Sequence, residues 1–194
     1  MSANHAAFNL IFRFVENYIS PVAGRFSSQR HVMAIRDGFI SAMPFMIVGS
    51  FLLVFAYPPF SPDTTWGFAR AWLDLAKEFE GRILTPFDMT MGIMSIYICA
   101  AISYNLGKHY EKAHQLDPFM CAMLSIMAFL LIAAPKTNGS LPVDSLGGTG
   151  IFTAILVAIY CVEMMRFLKA HNIGIRLPDQ VPPMIKNSFD LLIP

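Results

Sequence analysis

Five histidines, three cysteines, thirteen methionines and thirteen acidic side chains are the groups from which this chain could build a catalytic or metal site. His5, His31, His109, His114 and His171 never fall at the i, i+4 spacing that sets two imidazoles on one helix face. They read as solvated or interfacial side chains rather than metal ligands. Cys99, Cys121 and Cys161 stand singly inside apolar runs, without the spacing of a disulfide framework, a zinc site or a haem motif, and read as small buried hydrophobes. The methionines, Met89, Met91, Met94, Met120, Met123 and Met127 among them, could line a soft-metal path, but their crowding in apolar segments favours plain packing. No Ser/His/Asp set, phosphate-cradling loop or pair of catalytic carboxylates can be assembled, so the chain is expected to act without catalytic residues, cofactor or metal.

Asp88 and Glu163 are the two candidate site residues, because an ionised group beside lipid is costly unless something holds it. Each also has a structural explanation. Thr85-Pro86-Phe87-Asp88 reads as a helix start, with Thr85 as cap, Pro86 in the first turn and Asp88 facing the positive end of the helix dipole. Glu163 lies three residues before Arg166, which predicts an interfacial ion pair.

The elements that must position these residues are membrane helices. The chain is 55% hydrophobic and 14% charged, an apolar share above that of soluble domains, and its net charge of +1 offers no field for nucleic acid. Crossing a bilayer takes roughly 20 apolar residues in a helix. Residues 38–57, 89–106, 118–135 and 145–162 meet that demand, the second and third as a hairpin joined by a short polar linker, the fourth with an irregular glycine-rich first turn. The fold expected is all-α and integral to a membrane, with four full transmembrane helices, the start of a fifth at residues 188–194, and two interfacial amphipathic helices. The amphipathic segments are residues 66–83, with Phe68, Trp72, Leu75, Phe79 and Ile83 at helical spacing, and the stripe Phe8, Ile11, Phe14, Val15 and Ile19.

Arg13, Arg25, Arg30, Arg36, Lys108, Lys112, Arg166, Lys169, Arg176 and Lys186 fall on one side of these spans, and only Arg70, Lys77, Arg82 and Lys136 on the other. Positive residues are retained in the cytoplasm, so the N-terminus is expected there, in a multi-pass membrane protein that its first span targets. Residues 1–30 form a cytoplasmic amphipathic segment, and residues 31–194 the transmembrane domain. Small residues such as Gly38 with Ala42, and the cluster Gly147, Gly148 and Gly150, could mark a dimer face, but packing within the chain is the simpler reading.

The stretch 31–50 (HVMAIRDGFISAMPFMIVGS) resembles the opening of the lactose/cellobiose family of phosphotransferase system (PTS) enzyme IIC permeases, with its basic lead-in, Gly-Phe start and Met-Pro within the first span. Gly92-Ile93-Met94-Ser95 resembles that family's second span. Residues 175–183 (IRLPDQVPP), with Ser188-Phe189 and Leu192-Ile193-Pro194, look like its approach to the fifth. The resemblance implies uptake of a β-linked disaccharide or β-glucoside, of the cellobiose, chitobiose or lactose class, by group translocation. It implies EIIB and EIIA proteins as partners, EIIB and not this chain carrying phosphate to the sugar, and assembly as a homodimer. It also implies that the principal sugar-contacting His and Glu lie beyond Pro194, so the chain is expected to be the N-terminal half of such a permease, stopped as its fifth helix begins. Asp88 stands where the family tends to a neutral polar residue. The competing readings are a truncated membrane interaction or dimerisation protein that transports nothing, and a decayed remnant; the DNA following codon 194 separates them.

Overall fold

The computed structural model describes residues 13, 15–135, 142–171 and 173, and every regular element among them is helical. A wide turn at Val15–Ile19 runs into α1 (Ser20–Ser27), with Pro21 in the first turn, where a missing N–H costs nothing. Then come α2 (Arg30–Ala56), α3 (Gly67–Asp88), α4 (Met94–His114), α5 (Pro118–Ala133) and, after a tight turn at Gly148–Gly150, α6 (Ile151–Ala170).

Side-chain pairings give the direction of each helix. Gly38 meets Ile102, Phe45 stacks on Tyr97 at 4.6 Å, and Gly49 faces Met91, so α2 and α4 are antiparallel. Gly107 faces Pro118 and Cys121, and the Cys99 thiol lies 3.6 Å from the Ser125 carbonyl oxygen, so α5 returns antiparallel along α4. Ser95 donates to the Leu146 carbonyl just ahead of α6, and Tyr110 reaches Glu163 near its end, so α6 runs parallel to α4. α2, α4, α5 and α6 therefore run alternately up and down, with α4 packed against the other three. The buried positions of α4 are Ser95, Ile98, Cys99, Ile102, Ser103, Leu106, Gly107 and Tyr110, spaced three and four apart. The close α2–α4 contact depends on Gly38, where a Cβ would run into the Ile102 side chain and sit 2.9 Å from its backbone nitrogen. Gly38 and Ala42 are thus part of a seam within the chain. Cys99, Cys121 and Cys161 are free and buried, as small hydrophobes would be.

The second helix boundary differs from expectation. Thr85, Pro86 and Asp88 do not open α4; they form the last turn of α3. The apolar spacing that stops at Ile83 in the sequence reading continues through Phe87, and this stripe carries the helix past Pro86. Residues 89–93 then turn. The N–H groups of Met91 and Gly92 both donate to the Phe87 carbonyl, at 2.9 and 3.2 Å, and a Cβ on Gly92 would collide with the Asp88 backbone. α3 lies against the last turns of α2 through small residues, Ala69 and Ala76, and through the Trp72 indole, which donates to the Phe55 carbonyl at 3.2 Å.

The irregular start of the last helix is as expected: its first turn is a tight one at Gly148–Gly150 before α6 proper. By length and apolarity alone, two helices among the described residues suit a bilayer crossing, Arg30–Ala56 and Gly148–Ala170. α5 is apolar but only 16 residues long, and α4 carries Lys108, Glu111 and Lys112 toward its end after losing residues 89–93 to the turn. Four full spans are therefore more than this measure supports. The fifth span's start, residues 188–194, and Phe8, Ile11 and Phe14 of the N-terminal stripe lie outside the described residues. Val15 and Ile19 of that stripe are exposed, and with Tyr18, Val22 and Phe26 they line one helical face.

Candidate functional site

Glu163 is a residue on which polar contacts from three helices converge. It sits near the end of α6, where Arg166 one turn on places its guanidinium 2.8 Å from Oε2. This is the ion pair the spacing predicted. The other oxygen, Oε1, accepts from Tyr110 of α4 at 2.7 Å and lies 2.9 Å from Nε2 of His31 in the first turn of α2. A carboxylate only accepts, so the contact places a proton on Nε2 of His31. One carboxylate thus ties the start of α2 to the ends of α4 and α6.

The Tyr110 ring is the platform beneath this junction. Arg166 lies 4.9 Å and Arg30 5.6 Å from its centroid, and His114 meets it edge-on at 5.8 Å. Both guanidinium groups are attracted by the ring quadrupole, and the Glu163 carboxylate, paired with Arg166, offsets the local positive charge. A neighbouring strut links Lys169 to the α4–α5 turn, where its ammonium donates to the Gln115 carbonyl at 2.7 Å. Gln115 holds that turn with a left-handed backbone, φ 53°. His31 and Glu163 keep 34% and 24% of their side chains accessible, so water competes for the pair.

Asp88 does not join this cluster. It is exposed at the last residue of α3, the negative end of that helix dipole, and at the opposite end of the bundle from Glu163. The anion-favouring position assigned to it from sequence is therefore not where it stands. Sequence reasoning missed His31 and Tyr110 as partners, although a signal existed. His31 falls on the same stripe as Ala34, Gly38 and Ala42, and Tyr110 continues the run Ile102, Ser103, Leu106 at helical spacing. Both had to face the bundle.

With this geometry, the comparisons with known proteins bear on the whole described fold. The family model described as "Phosphotransferase system, EIIC" matches residues 36–194. The chain belongs to this family. The EIIC relatives include the cellobiose-specific EIIC component of Geobacillus stearothermophilus, 34% identical over 94% of this chain and 42% of that protein. The lichenan permease IIC component of Bacillus subtilis is 30% identical over 96% of this chain and 42% of its own. A lactose-specific EIICB component of Streptococcus mutans is 32% identical over 90% of this chain and 30% of that longer protein. The solved structure of the IIC transporter component from the N,N'-diacetylchitobiose-specific phosphotransferase system superposes with a TM-score of 0.74 at 33% identity, covering 93% of this chain and 43% of that one. The chain therefore spans less than half the length of the EIIC relatives it matches. EIIC proteins are membrane-embedded sugar permease components, which accounts for the broad exposed apolar face of α2, including Ile40, Phe51, Val54 and Phe55.

Proposed function

We propose that this EIIC chain serves uptake of a β-linked disaccharide or β-glucoside by a phosphotransferase system. The observation that carries the reading is the similarity along almost the whole chain to EIIC proteins named for cellobiose, lichenan, lactose and N,N'-diacetylchitobiose, whose sugars share a β-glycosidic link. In this reading α2, α4, α5 and α6 are four bilayer spans, α3 lies on the outer leaflet, and α1 with the stripe ahead of it rests on the cytoplasmic one, N-terminus inside. Residues 1–30 are the cytoplasmic segment and residues 31–194 the transmembrane domain. The protein works as a homodimer in a bacterial cell membrane with EIIB and EIIA partners, and EIIB delivers the phosphoryl group. Glu163 acts as a structural junction, and Asp88 as an exposed charge at the outer end.

The test is genetic. In the native host, with related permeases deleted, disruption of the gene encoding this chain is expected to abolish accumulation of phosphorylated sugar for at least one of radiolabelled cellobiose, lactose, β-mannobiose and N,N'-diacetylchitobiose. Unchanged accumulation across the whole panel overturns the proposal.

A further inference from the structure

The first turn of α2 is held differently from the rest of that helix. From Ala34 onward α2 packs through a seam of small buried residues, Ala34, Gly38 and Ala42, set tightly on α4. Before Ala34 no residue of α2 is buried, and α1 ahead of it buries none at all. What fastens this end is polar: His31 to Glu163, and Arg30 over Tyr110. A small-residue seam separates only by opening a void or admitting lipid, whereas part-exposed polar contacts exchange with water at little cost. His31 lies seven residues ahead of Gly38, a lever of about 10 Å along a helix.

We infer that Glu163 is a three-way latch. It clasps the first turn of α2 against the ends of α4 and α6, and its release frees that turn, with α1 attached, while the seam from Ala34 to Ala42 stays packed. The groups at this junction come from each helix that meets there: His31 of α2, Tyr110 of α4 and Arg166 of its own helix contact Glu163, while Arg30 of α2 and His114 of α4 lie against the Tyr110 ring. Arg166 keeps the carboxylate occupied when His31 departs, so the open state leaves no bare buried charge. The latch is thereby built to open and close again. It stands independently of which sugar the permease carries.

Thiol labelling tests this on the full chain in membrane vesicles. Val32 is half-buried in the first turn of α2, beside His31 and one turn ahead of Ile35, which packs on the core, so Val32→Cys places a reporter under the latch. The buried native Cys99, Cys121 and Cys161 report general loosening, and peptide mass spectrometry resolves all four sites. Adding Glu163→Ala is expected to speed maleimide labelling at position 32 roughly ten-fold, the scale of hydrogen bonds to a charged group, and to leave the three native sites unchanged. His31→Ala, which spares the Arg166 pair, is expected to give a smaller rise of roughly three-fold and serves if the first variant does not fold. No change at position 32, or an equal rise at all four sites, overturns the latch.

Discussion

Gly38 and Gly81 are both helical glycines, yet their surroundings are opposite. A methyl group at Gly38 would strike Ile102, whereas nothing lies within 4 Å of the position a Cβ would take on Gly81 in α3. Gly38→Ala is therefore expected to cost about 1–3 kcal/mol by forcing α2 off α4. Gly81→Ala should be neutral or stabilise by up to about 1 kcal/mol, through helix propensity alone. Thermal unfolding in detergent, with both variants beside the parent, checks the pair; equal melting points for the two would contradict the seam. Single residues were unevenly legible in the sequence. The Glu163–Arg166 pair follows from spacing on one helix, and the burial of Cys99, Cys121 and Cys161 from their apolar neighbours. The His31 contact could not be read in the same way, because it joins residues 132 positions apart and depends on how two helices meet.

At the scale of elements, caps and turn residues decide where helices begin. Asp117 shows this for α5: its carboxylate accepts from the N–H groups of Phe119 and Met120, at 2.8 and 3.3 Å, and Pro118 fills the first helical position. Asp117→Ala should lower stability by about 1 kcal/mol, and Asp117→Asn, which can still cap, by much less. Circular dichroism melts of the two variants give the comparison, and equal losses would remove the cap's role. The start of α5 was readable at Pro118, and the irregular entry to α6 at its glycines. The α3–α4 junction was misread because Thr85, Pro86 and Asp88 form a respectable start signal for a helix that does not begin there. What settles that boundary is Phe87 extending an apolar stripe and Gly92 permitting a tight reversal against Asp88. A local signal lost to a tertiary one.

At the scale of the whole molecule, the alternation of helices and the distribution of Lys and Arg support the proposed orientation. The α4–α5 turn, the start of α2 and the end of α6 share one end of the bundle, the end to which the positive-residue bias assigns the cytoplasm. A thiol introduced by Leu75→Cys on exposed α3 should react with an impermeant maleimide from outside intact cells. One introduced by Lys112→Cys near the end of α4 should react only after permeabilisation, and the reverse pattern would invert the topology. The all-helical class was legible from hydropathy alone. The number of full crossings was not, because α4 starts only at Met94 and carries Lys108, Glu111 and Lys112 toward its end, and α5 is only 16 residues long. α4 also imposes an order on how the chain is made. Gly38 leaves the ribosome 64 residues ahead of the Ile102 on which it will seat. At roughly 5–20 residues per second the α2 seam waits several seconds without its partner. During that interval the narrow groove of Ala34, Gly38 and Ala42 faces lipid or the insertion machinery, so α2, made before α3, cannot seat until α4 has followed it.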